Sequence, residues 1–543
     1  MRLLEATSSE KLRGGYYTPA PIASFLLKWG LNGKIDSDIL EPSCGDGVFL
    51  EQIYKQKLPY KSITAIELDP GEAKKAAVIS LQNADIKIMD FHQFCNATSK
   101  KYDLVIGNPP YIRYQYFDKT QQEDAQKIYA HANLTYTKLS NAWVSFVVGS
   151  SLLLKEKSKI AFVLPAELLQ VSYAHELRKY LSAYFNKINI ISFQELVFPE
   201  IQQEVVLLLC ERNDDASHTI EHIEINNLDG LRKLATNQLK SKGKKIDFIN
   251  NKWTFYFLEQ NEIDFLEKIY SHASFSVIGD YANVKVGITT GANKYFTVPY
   301  STVKKYSLQR YAKPMVGRSV QTPSVCFTKE DWLNNRNSKV KSNLLVFPPA
   351  DKLAGNEGAL RYIEYGESLG INKGYKTGIR DDWFVIPSIK VSDALFIRRN
   401  HVYPKLILNE ANVYTTDTMH RVFIKDGINK NAFIASYYNS VSFAFSEIVG
   451  RSYGGGVLEL MPSETESIFL PYKKDNHALI AEIDKMMRNK ADIDTILKAT
   501  NRIILHENLG FSDKEINLAN TIWKKLSSRR LNRSKISKRD FGL

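Results

Sequence analysis

Cysteines and long apolar runs are both scarce in this sequence. Its 543 residues include four cysteines, and Cys44, Cys95, Cys210 and Cys326 are too scattered to form a metal-ligand or redox pair. The longest apolar stretch, WVSFVVGSSLLL at residues 143–154, is too short to span a bilayer. No apolar segment near the start has the form of a secretory signal. We therefore expect a reduced, cytoplasmic protein without a metal site or a membrane partner.

Acidic residues are clearly outnumbered by basic ones, but only in the second part of the chain. The whole sequence holds 72 Lys+Arg and 59 Asp+Glu. Residues 1–200 hold 23 basic and 21 acidic residues, whereas residues 201–543 hold 49 and 38. A basic excess confined to the second part is typical of a module that binds a polyanion. A lysine-rich surface that merely aids solubility is an equal alternative.

Strands and helices alternate through about the first 210 residues. The apolar pattern predicts strands at 38–41, 62–67, 86–89, 103–106, 159–164, 188–193 and, as the last one, 204–210. It predicts helices at 19–30, 48–57, 70–81, 140–155 and 172–185. This alternation predicts an α/β fold with a mostly parallel sheet covered on both faces. Ligands of such sheets bind at the carboxyl ends of the strands, near the point where the strand order reverses.

An acidic glycine turn follows the first predicted strand. In EPSCGDGVFL, Gly45 and Gly47 allow a tight turn and a close approach of the backbone to a ligand. The sequence is not the G-x-G-x-x-G of dinucleotide enzymes, and phosphate-binding turns rarely carry residues such as Glu41 and Asp46. The turn therefore suits a ligand that carries positive charge.

Carboxylates also follow the second and third predicted strands. Glu67 could accept both hydroxyls of a ribose, and Asp90 could accept an exocyclic amine beside Phe91, whose ring could stack on a purine. Each of these residues alone is equally well explained as a helix cap or a surface charge. Three in register after three successive strands favour a ligand site.

The fourth of these strands leads into LVIGNPPYIRY at residues 104–114. Two consecutive prolines donate no backbone hydrogen bonds, so the strand must end there. The side-chain oxygen of Asn108 and the carbonyl of Pro109 can accept the two hydrogens of one planar amino group. Such a grip would direct the nitrogen lone pair toward an electrophile, and Tyr111 would supply a face for the ring that carries the amine.

In this order the motifs resemble the gamma class of DNA adenine-N6 methyltransferases from bacterial type II restriction–modification systems. The resemblance rests on Tyr17-Thr18-Pro19, EPSCGDGVF, AIELDP, DF and NPPY, although NPPY alone also occurs in enzymes that methylate RNA or glutamine side chains. It implies a Rossmann-like domain that uses S-adenosylmethionine. The cofactor-binding residues that it implies are Tyr17, Thr18, Glu41, Ser43, Gly45, Phe49, Glu67, Asp90, Phe91 and Asn108. The catalytic residues that it implies are Asn108, Pro109, Tyr111 and Phe198.

Within that set, some roles compete with plainer ones. The resemblance implies that Phe198, directly before Pro199, stacks on a target base flipped out of the duplex. Phe198 could instead be a core residue before a turn. Tyr17 and Phe49 are equally well explained as core aromatics.

The second part of the chain has an irregular pattern of short apolar segments broken by glycine and proline. Its stretches at 286–296, 376–387, 396–410 and 451–462 place arginine, lysine, asparagine and aromatic residues on glycine-bearing loops. They resemble, more loosely, the specificity domain of the same family. From about residue 476 the pattern is helical, and it ends in a basic tail that we expect to be either disordered or a solvated helix end.

We therefore predict a catalytic domain at 1–245, a mixed α/β target-recognition domain at 246–475 and a helical C-terminal segment at 476–543. The resemblance implies a monomeric enzyme that acts on double-stranded DNA, with a restriction endonuclease as a separate partner. The alternatives are an RNA or protein-amide methyltransferase, an inactive DNA-binding relative and a methylase–nuclease fusion. The basic second part argues against a protein substrate, and the intact motifs argue against inactivity. The length of the chain argues against a fusion.

Overall fold

The computed structural model describes residues 17–136, 141–198, 203–215, 218–236, 239, 244, 252–353, 355–453 and 455–540. Pro199, Gly454 and most of the lysine-rich stretch at 241–251 lie outside these residues. The chain divides into two compact units. The first takes in the described residues up to Ile263, and the second runs from Asp264 to Leu531 apart from Tyr453–Gly455. The domain boundaries predicted at 245 and 475 stay predictions.

The first unit is built on one large sheet. Its described strands are β1 (Asp38–Glu41), β2 (Ser62–Glu67), β3 (Ala84–Ile88), β4 (Tyr102–Gly107), β5 (Leu154–Pro165), β6 (Lys187–Phe193), β7 (Val205–Arg212) and β8 (Thr219–Ile225). They lie in the order β3-β2-β1-β4-β5-β7-β6-β8. All described neighbours are parallel except β7, which is antiparallel to β5 and β6. The predicted α/β fold with a mostly parallel sheet is thus confirmed.

Helices flank this sheet. They are α1 (Ala20–Leu31), α2 (Val48–Gln56), α3 (Pro70–Ala77), α4 (Phe91–Ala97), α5 (Lys119–His131), α6 (Ala142–Leu152), α7 (Glu167–Gln170), α8 (His175–Tyr184) and α9 (Leu228–Lys233). In α1, Ile22, Phe25, Leu26 and Trp29 recur at helical spacing and are all buried in the core of the unit. The strand order reverses between β1 and β4, so the carboxyl ends of these two strands border the crevice where a ligand is expected.

The predicted strands and helices of this unit are confirmed to within a few residues, with five omissions. The prediction that the last strand is 204–210 is wrong, because Thr219–Ile225 forms β8 beside β6. The alternation of exposed and buried residues in TIEHIEI is that of a half-buried strand. The helices α4, α5, α7 and α9 were also not predicted.

The second unit contains shorter elements. Its described strands are β9 (Ser276–Val277), β10 (Ala282–Val286), β11 (Thr297–Val298), β12 (Ala312–Val316), β13 (Asn343–Leu345), β14 (Ala394–Ile397), β15 (Arg399–Asn400), β16 (Leu406–Leu408), β17 (Tyr414–Thr415), β18 (Met419–Ile424), β19 (Arg451–Tyr453), β20 (Val457–Glu459) and β21 (Phe469–Leu470). Two four-stranded sheets have the orders β10-β18-β14-β16 and β11-β13-β12-β17. Two separate apolar clusters form its core, one of them around Phe296 and Trp383 and the other around Phe327 and Leu395.

Helices complete the second unit and the C-terminal segment. They are α10 (Gln260–Tyr270), α11 (Ile278–Tyr281), α12 (Asn293–Phe296), α13 (Tyr300–Lys305), α14 (Lys329–Asn337), α15 (Glu357–Ser368), α16 (Lys430–Tyr437), α17 (Ser440–Val449), α18 (Pro462–Glu466), α19 (Leu479–Arg488), α20 (Ile493–Asn501) and α21 (Asp513–Asp540). The helical pattern predicted from about residue 476 is confirmed. Within the described ranges, none of the helices combines the length and the apolar composition that crossing a bilayer requires.

The basic tail is helical through Asp540, so of the two alternatives predicted for it the helix end is confirmed and the disordered tail is wrong. Trp523 and Arg530 of α21 are buried, and Arg530 is only 1% exposed. Its guanidinium donates to both carboxylate oxygens of Glu447, at 2.6 and 3.2 Å. Because a buried charge must be paired, this contact explains the burial of Arg530 and removes that residue from the candidates for phosphate binding.

Candidate active site

The glycine turn after β1 is confirmed, and its backbone explains its glycines. Gly45 and Gly47 have φ angles of +54° and +92°, in the left-handed region that glycine adopts without strain. A Cβ atom on Gly47 would also lie 2.8 Å from Ile79 and 3.0 Å from Ala76 in α3. The Cys44 amide donates to the carbonyl of Ile66 at 2.9 Å, which ties the turn to β2. The turn is therefore fixed on both sides.

A buried carboxylate without partners lies at the base of this turn. Glu41 ends β1 and is 2% exposed, and neither of its carboxylate oxygens has a hydrogen-bond partner among the described residues. Burial raises the pKa of Glu41 well above its ordinary value, and the nearby Glu67 and Asp46 carboxylates add to the effect. A buried polar group without a partner destabilises a fold. A ligand that brings hydrogen-bond donors or positive charge to Glu41 would remove that cost.

The second predicted carboxylate, Glu67, supports the turn directly. One of its oxygens accepts a hydrogen bond from the Gly45 amide at 2.8 Å, and the other accepts one from the Asp69 amide at 2.8 Å. Carboxylate oxygens each accept more than one hydrogen bond, so this role is compatible with the predicted ribose contact. That contact stays a prediction.

The third carboxylate, Asp90, caps helix α4. Its Oδ1 accepts from the backbone amide of His92 at 2.7 Å and faces the His92 ring at 3.1 Å, while its Oδ2 accepts from the Gln121 side chain at 2.9 Å. Burial alone would raise the pKa of Asp90, but the hydrogen bonds from His92 and Gln121 outweigh it and lower the pKa to about 2. Phe91 is buried and stacks on Phe146 at 4.7 Å between ring centroids. Contact of this pair with a cofactor adenine stays a prediction.

The NPPY turn follows β4 at the crevice. The side-chain oxygen of Asn108 is not unengaged, because the Tyr111 hydroxyl donates to that oxygen at 2.8 Å. The same hydroxyl lies 3.2 Å from the carbonyl of Val163 in β5. The Ser43 hydroxyl of the glycine turn donates to the backbone carbonyl of Asn108 at 3.2 Å. The β1 and β4 turns are thus joined, with the buried Pro109 beside Asn108.

The remaining predicted residues occupy different environments. Phe198 and Phe49 belong to the apolar core of the first unit, where Phe198 is 4% exposed. Stacking of Phe198 on a base stays a prediction, and it requires this side chain to be uncovered. Tyr17 is 52% exposed and donates its hydroxyl to Glu72 at 3.2 Å, while Thr18 is buried.

Two supporting residues could not be identified from local sequence. The ring of His92 is buried between Asp90 and the hydroxyl of Ser145, which lies 2.7 Å from its Nε2 atom. Gln121 belongs to α5, far along the chain from the carboxylate that it contacts. Neither residue stands in a motif, so the packing of α4 against α5 and α6 is what reveals them. Among the described residues, no group of three or more His, Cys, Asp or Glu side chains is arranged to hold a metal ion.

The crevice between β1 and β4 therefore presents a glycine turn over an uncompensated acidic group, with the carboxylate of Glu67 after the next strand. S-adenosylmethionine carries a positively charged sulfur and an ammonium group, and the residues of this crevice fit such a ligand. The fold and the site define an S-adenosylmethionine-dependent methyltransferase.

Comparisons with known proteins give the family. Residues 32–198 match the Eco57I restriction-modification methylase family, and residues 250–505 match the C-terminal domain of the type II methyltransferase M.Eco57I. The chain belongs to these type II restriction–modification methyltransferases.

Individual relatives agree with this assignment. The type II methyltransferase M.AccI of Acinetobacter calcoaceticus is 27% identical over 479 residues, which cover 83% of each chain. M.HindII of Haemophilus influenzae is 23% identical over 341 residues, which cover 58% of this chain and 60% of that protein. The cryo-electron microscopy structure of a DrdV–DNA complex shares the fold, with a TM-score of 0.52 and 14% identity over 89% of this chain and 58% of that one.

Proposed function

We infer that this enzyme methylates the N6 amino group of an adenine in duplex DNA and that the adenine is flipped out of the helix for the reaction. In this role it would be the modification enzyme of a restriction–modification system, acting separately from its nuclease. The observation that carries the proposal is the hydrogen bond from the Tyr111 hydroxyl to the side-chain oxygen of Asn108, beside the glycine turn.

The chemistry of an exocyclic amine explains why this contact matters. A carbonyl oxygen can accept two hydrogen bonds, so the Tyr111 hydroxyl can orient the Asn108 amide while that amide accepts a hydrogen of the target amine. The Pro109 carbonyl accepts the second hydrogen. Two acceptors preorganised for the positive charge that develops on nitrogen stabilise the transition state. Their fixed positions also supply the alignment that the transfer needs.

Residues after β1, β2 and β3 would hold the cofactor. Glu41 and the Gly45 turn would face its charged end, Glu67 its ribose and Asp90 its adenine. S-adenosylmethionine, when bound, supplies a methyl group activated by the positive sulfur. The acceptors at Asn108 and Pro109 orient the nitrogen for attack while it still holds both of its protons. The C–S bond breaks as the new C–N bond forms, and one of those protons is lost afterwards.

Base flipping follows from the geometry of duplex DNA. The adenine amine is paired inside the helix, where an acceptor on a protein turn cannot reach it in line with a methyl group. Tyr111 would stack on the extruded ring. A mispaired adenine is easier to extrude than a paired one, so the rate should depend on the pairing of the target.

The adenine assignment is also supported by a more distant relative. The tRNA1(Val) (adenine(37)-N6)-methyltransferase of Haemophilus influenzae is 27% identical over 136 residues, which cover 24% of this chain and 54% of that enzyme. Its name records the same amine on an RNA substrate. The match of residues 250–505 to a type II methyltransferase domain favours DNA as the substrate here.

The test is methyl transfer from labelled S-adenosylmethionine to duplex DNA, RNA and protein, followed by nucleoside analysis. We expect N6-methyl-2′-deoxyadenosine from duplex DNA. Asn108→Ala should slow the single-turnover rate roughly a hundred- to thousandfold, as loss of a preorganised transition-state contact does elsewhere. DNA binding should persist. Asn226→Ala, which removes an exposed amide of the same unit, is the matched control. A methylated cytosine, or an Asn108→Ala variant with the parental rate, would contradict the proposal.

A further inference from the structure

A turn in the second unit displays an apolar side chain on a rigid frame. Val320 lies in the short 3-10 helix Ser319–Gln321 and is 87% exposed. Directly below it, Gln321 is buried, and its side-chain oxygen accepts from the backbone amides of Gly317 and Arg318 at 2.9 and 2.8 Å. The 317–322 turn is therefore held from inside by one side chain.

Further hydrogen bonds fix this turn to its neighbours. The Gln321 side-chain amide donates to the backbone carbonyl of Lys341 at 3.1 Å. The backbone carbonyl of Gln321 accepts a hydrogen bond from the Asn335 side chain at 2.9 Å. The Thr322 hydroxyl donates to Ser319 at 2.7 Å. A single exposed valine is ordinary on a protein surface, so what distinguishes Val320 is that the anchored turn holds it in a fixed position.

Three cations surround the turn. Lys294, Arg318 and Lys341 are all exposed, and within the described part of the chain none of them forms an ion pair with a carboxylate. The Lys341 ammonium donates to the carbonyl of Lys294 at 3.0 Å, which holds the two lysines together. Partial burial lowers the pKa of Lys341, and the positive charges of Arg318 and Lys294 lower it further. The cluster therefore lacks a compensating anion.

The loop that carries Lys294 is itself anchored. The Asn293 side chain donates to the Asp417 carboxylate at 2.7 Å, and the Thr290 hydroxyl donates to the side-chain oxygen of Asn293 at 2.5 Å. Arg380 donates to the carbonyl of Thr290 at 2.9 Å. The Asp417 carboxylate thus accepts from an amide, and among the described residues it forms no ion pair with the three cations. The position of Lys294 relative to the turn is fixed by folding.

We propose that the 317–322 turn is a DNA contact of the second unit, in which Lys294, Arg318 and Lys341 bind backbone phosphate and Val320 enters a groove to contact bases. This inference rests on the proposed function. Clustered lysine and arginine bind phosphates without regard to sequence, whereas an apolar side chain distinguishes base edges such as the thymine methyl group. The preorganised turn means that little conformational entropy is lost when the contact forms.

The two kinds of contact make different predictions for binding. The test uses the full-length enzyme and fluorescence anisotropy with a duplex that holds its methylation site and a scrambled duplex, at several salt concentrations. The double variant R318A/K341A should weaken binding to both duplexes and reduce the slope of log affinity against log salt by roughly 1.8, about 0.9 for each lost phosphate contact. Val320→Ser should leave that slope unchanged and lower the preference for the specific duplex by roughly five- to tenfold.

Matched controls separate these effects from general loss of charge or apolar surface. Lys498→Ala removes an exposed lysine elsewhere in the same unit, and Leu369→Ser replaces another exposed apolar side chain of that unit. Both should bind like the parent, and all variants should keep the parental unfolding temperature. If the parent binds both duplexes but R318A/K341A keeps the parental salt slope, or Val320→Ser keeps full preference, this inference is wrong while the proposed function stands. If the parent fails to bind or methylate duplex DNA, the proposed function itself fails.

Discussion

Replacing Glu41 by glutamine should have two opposite effects: it should stabilise the cofactor-free protein at neutral pH and weaken cofactor binding. Without a ligand, Glu41 is buried with no hydrogen-bond partner in the part of the chain that the structure describes, and its pKa is well above the ordinary 4.5. The folded chain therefore keeps a proton that the unfolded chain releases as the pH rises above about 4.5. Because the unfolded state then binds fewer protons, the free energy of unfolding falls with rising pH. The loss is about 1.4 kcal/mol for each pH unit over which the folded chain keeps this proton.

Glutamine has the same shape but does not titrate. Between pH 5 and pH 7 the stability of Glu41→Gln, relative to the parent, should therefore grow by up to about 2.7 kcal/mol. The assay is urea unfolding of the cofactor-free proteins at pH 5, 6 and 7. Glu156→Gln, at an exposed glutamate of the same unit, is the control and should show no such trend. A stability difference that stays constant over this pH range would refute the reasoning.

Cofactor binding should respond in the opposite sense. The positive charge of S-adenosylmethionine favours the ionised carboxylate, so binding to the parent should release a proton near neutral pH. Hydrogen bonds to a charged group contribute about 1.5–3 kcal/mol, so Glu41→Gln should weaken binding roughly ten- to hundredfold. Calorimetric titrations in buffers of different ionisation enthalpy measure both quantities. Unchanged affinity and no proton release would remove Glu41 from the cofactor site.

Three further predictions concern its neighbours. Glu67→Ala should weaken cofactor binding roughly ten- to hundredfold in calorimetric titrations and leave DNA affinity intact. It should also lower the unfolding temperature, because the Gly45 amide loses its hydrogen-bond acceptor. Unchanged cofactor affinity would contradict this prediction. Tyr111→Phe keeps the ring but loses the hydroxyl that orients Asn108. Single-turnover methylation should therefore slow roughly three- to tenfold, with unchanged DNA affinity. A parental rate would show that the hydroxyl is dispensable. Phe198→Ala should lower the free energy of unfolding by about 3–5 kcal/mol in urea, because this ring lies in the core; a loss below about 1 kcal/mol would indicate that the ring is not packed there in solution.

Local sequence was sufficient where an element carries its own apolar pattern. The strands at 38–41 and 62–67 were predicted with their observed bounds, because short apolar runs there are bordered by turn residues. Helix α5, Lys119–His131, was missed because its sequence is mostly polar and its buried side chains are few. In the second unit, Ala282 pairs with Ile424 across a long stretch of chain, and such pairings leave no local pattern.

The candidate site was predictable as a set of positions but not as a set of contacts. The motifs placed Glu41, Asp90 and Asn108 at the carboxyl ends of strands, where they do lie. Their environments depend on residues far along the chain. Gln121 occupies one oxygen of Asp90, and the packing of the sheet leaves Glu41 without a partner within the described ranges. Tyr111 contacts a residue close by in the chain, but its contact was still not predicted. The sequence indicated a stacking surface three residues after Asn108, whereas the structure shows that the Tyr111 hydroxyl also donates to the Asn108 side chain.

The central claim is that this chain places a methyl group on adenine N6 in duplex DNA through Asn108. The most direct test is sequencing, with base-modification detection, of DNA from cells that express either the parent or Asn108→Ala at equal levels. The account predicts N6-methyladenine at one recurring sequence in cells with the parent, and its loss in cells with the variant. Modified cytosine, or equal N6-methyladenine with both proteins, would contradict the account.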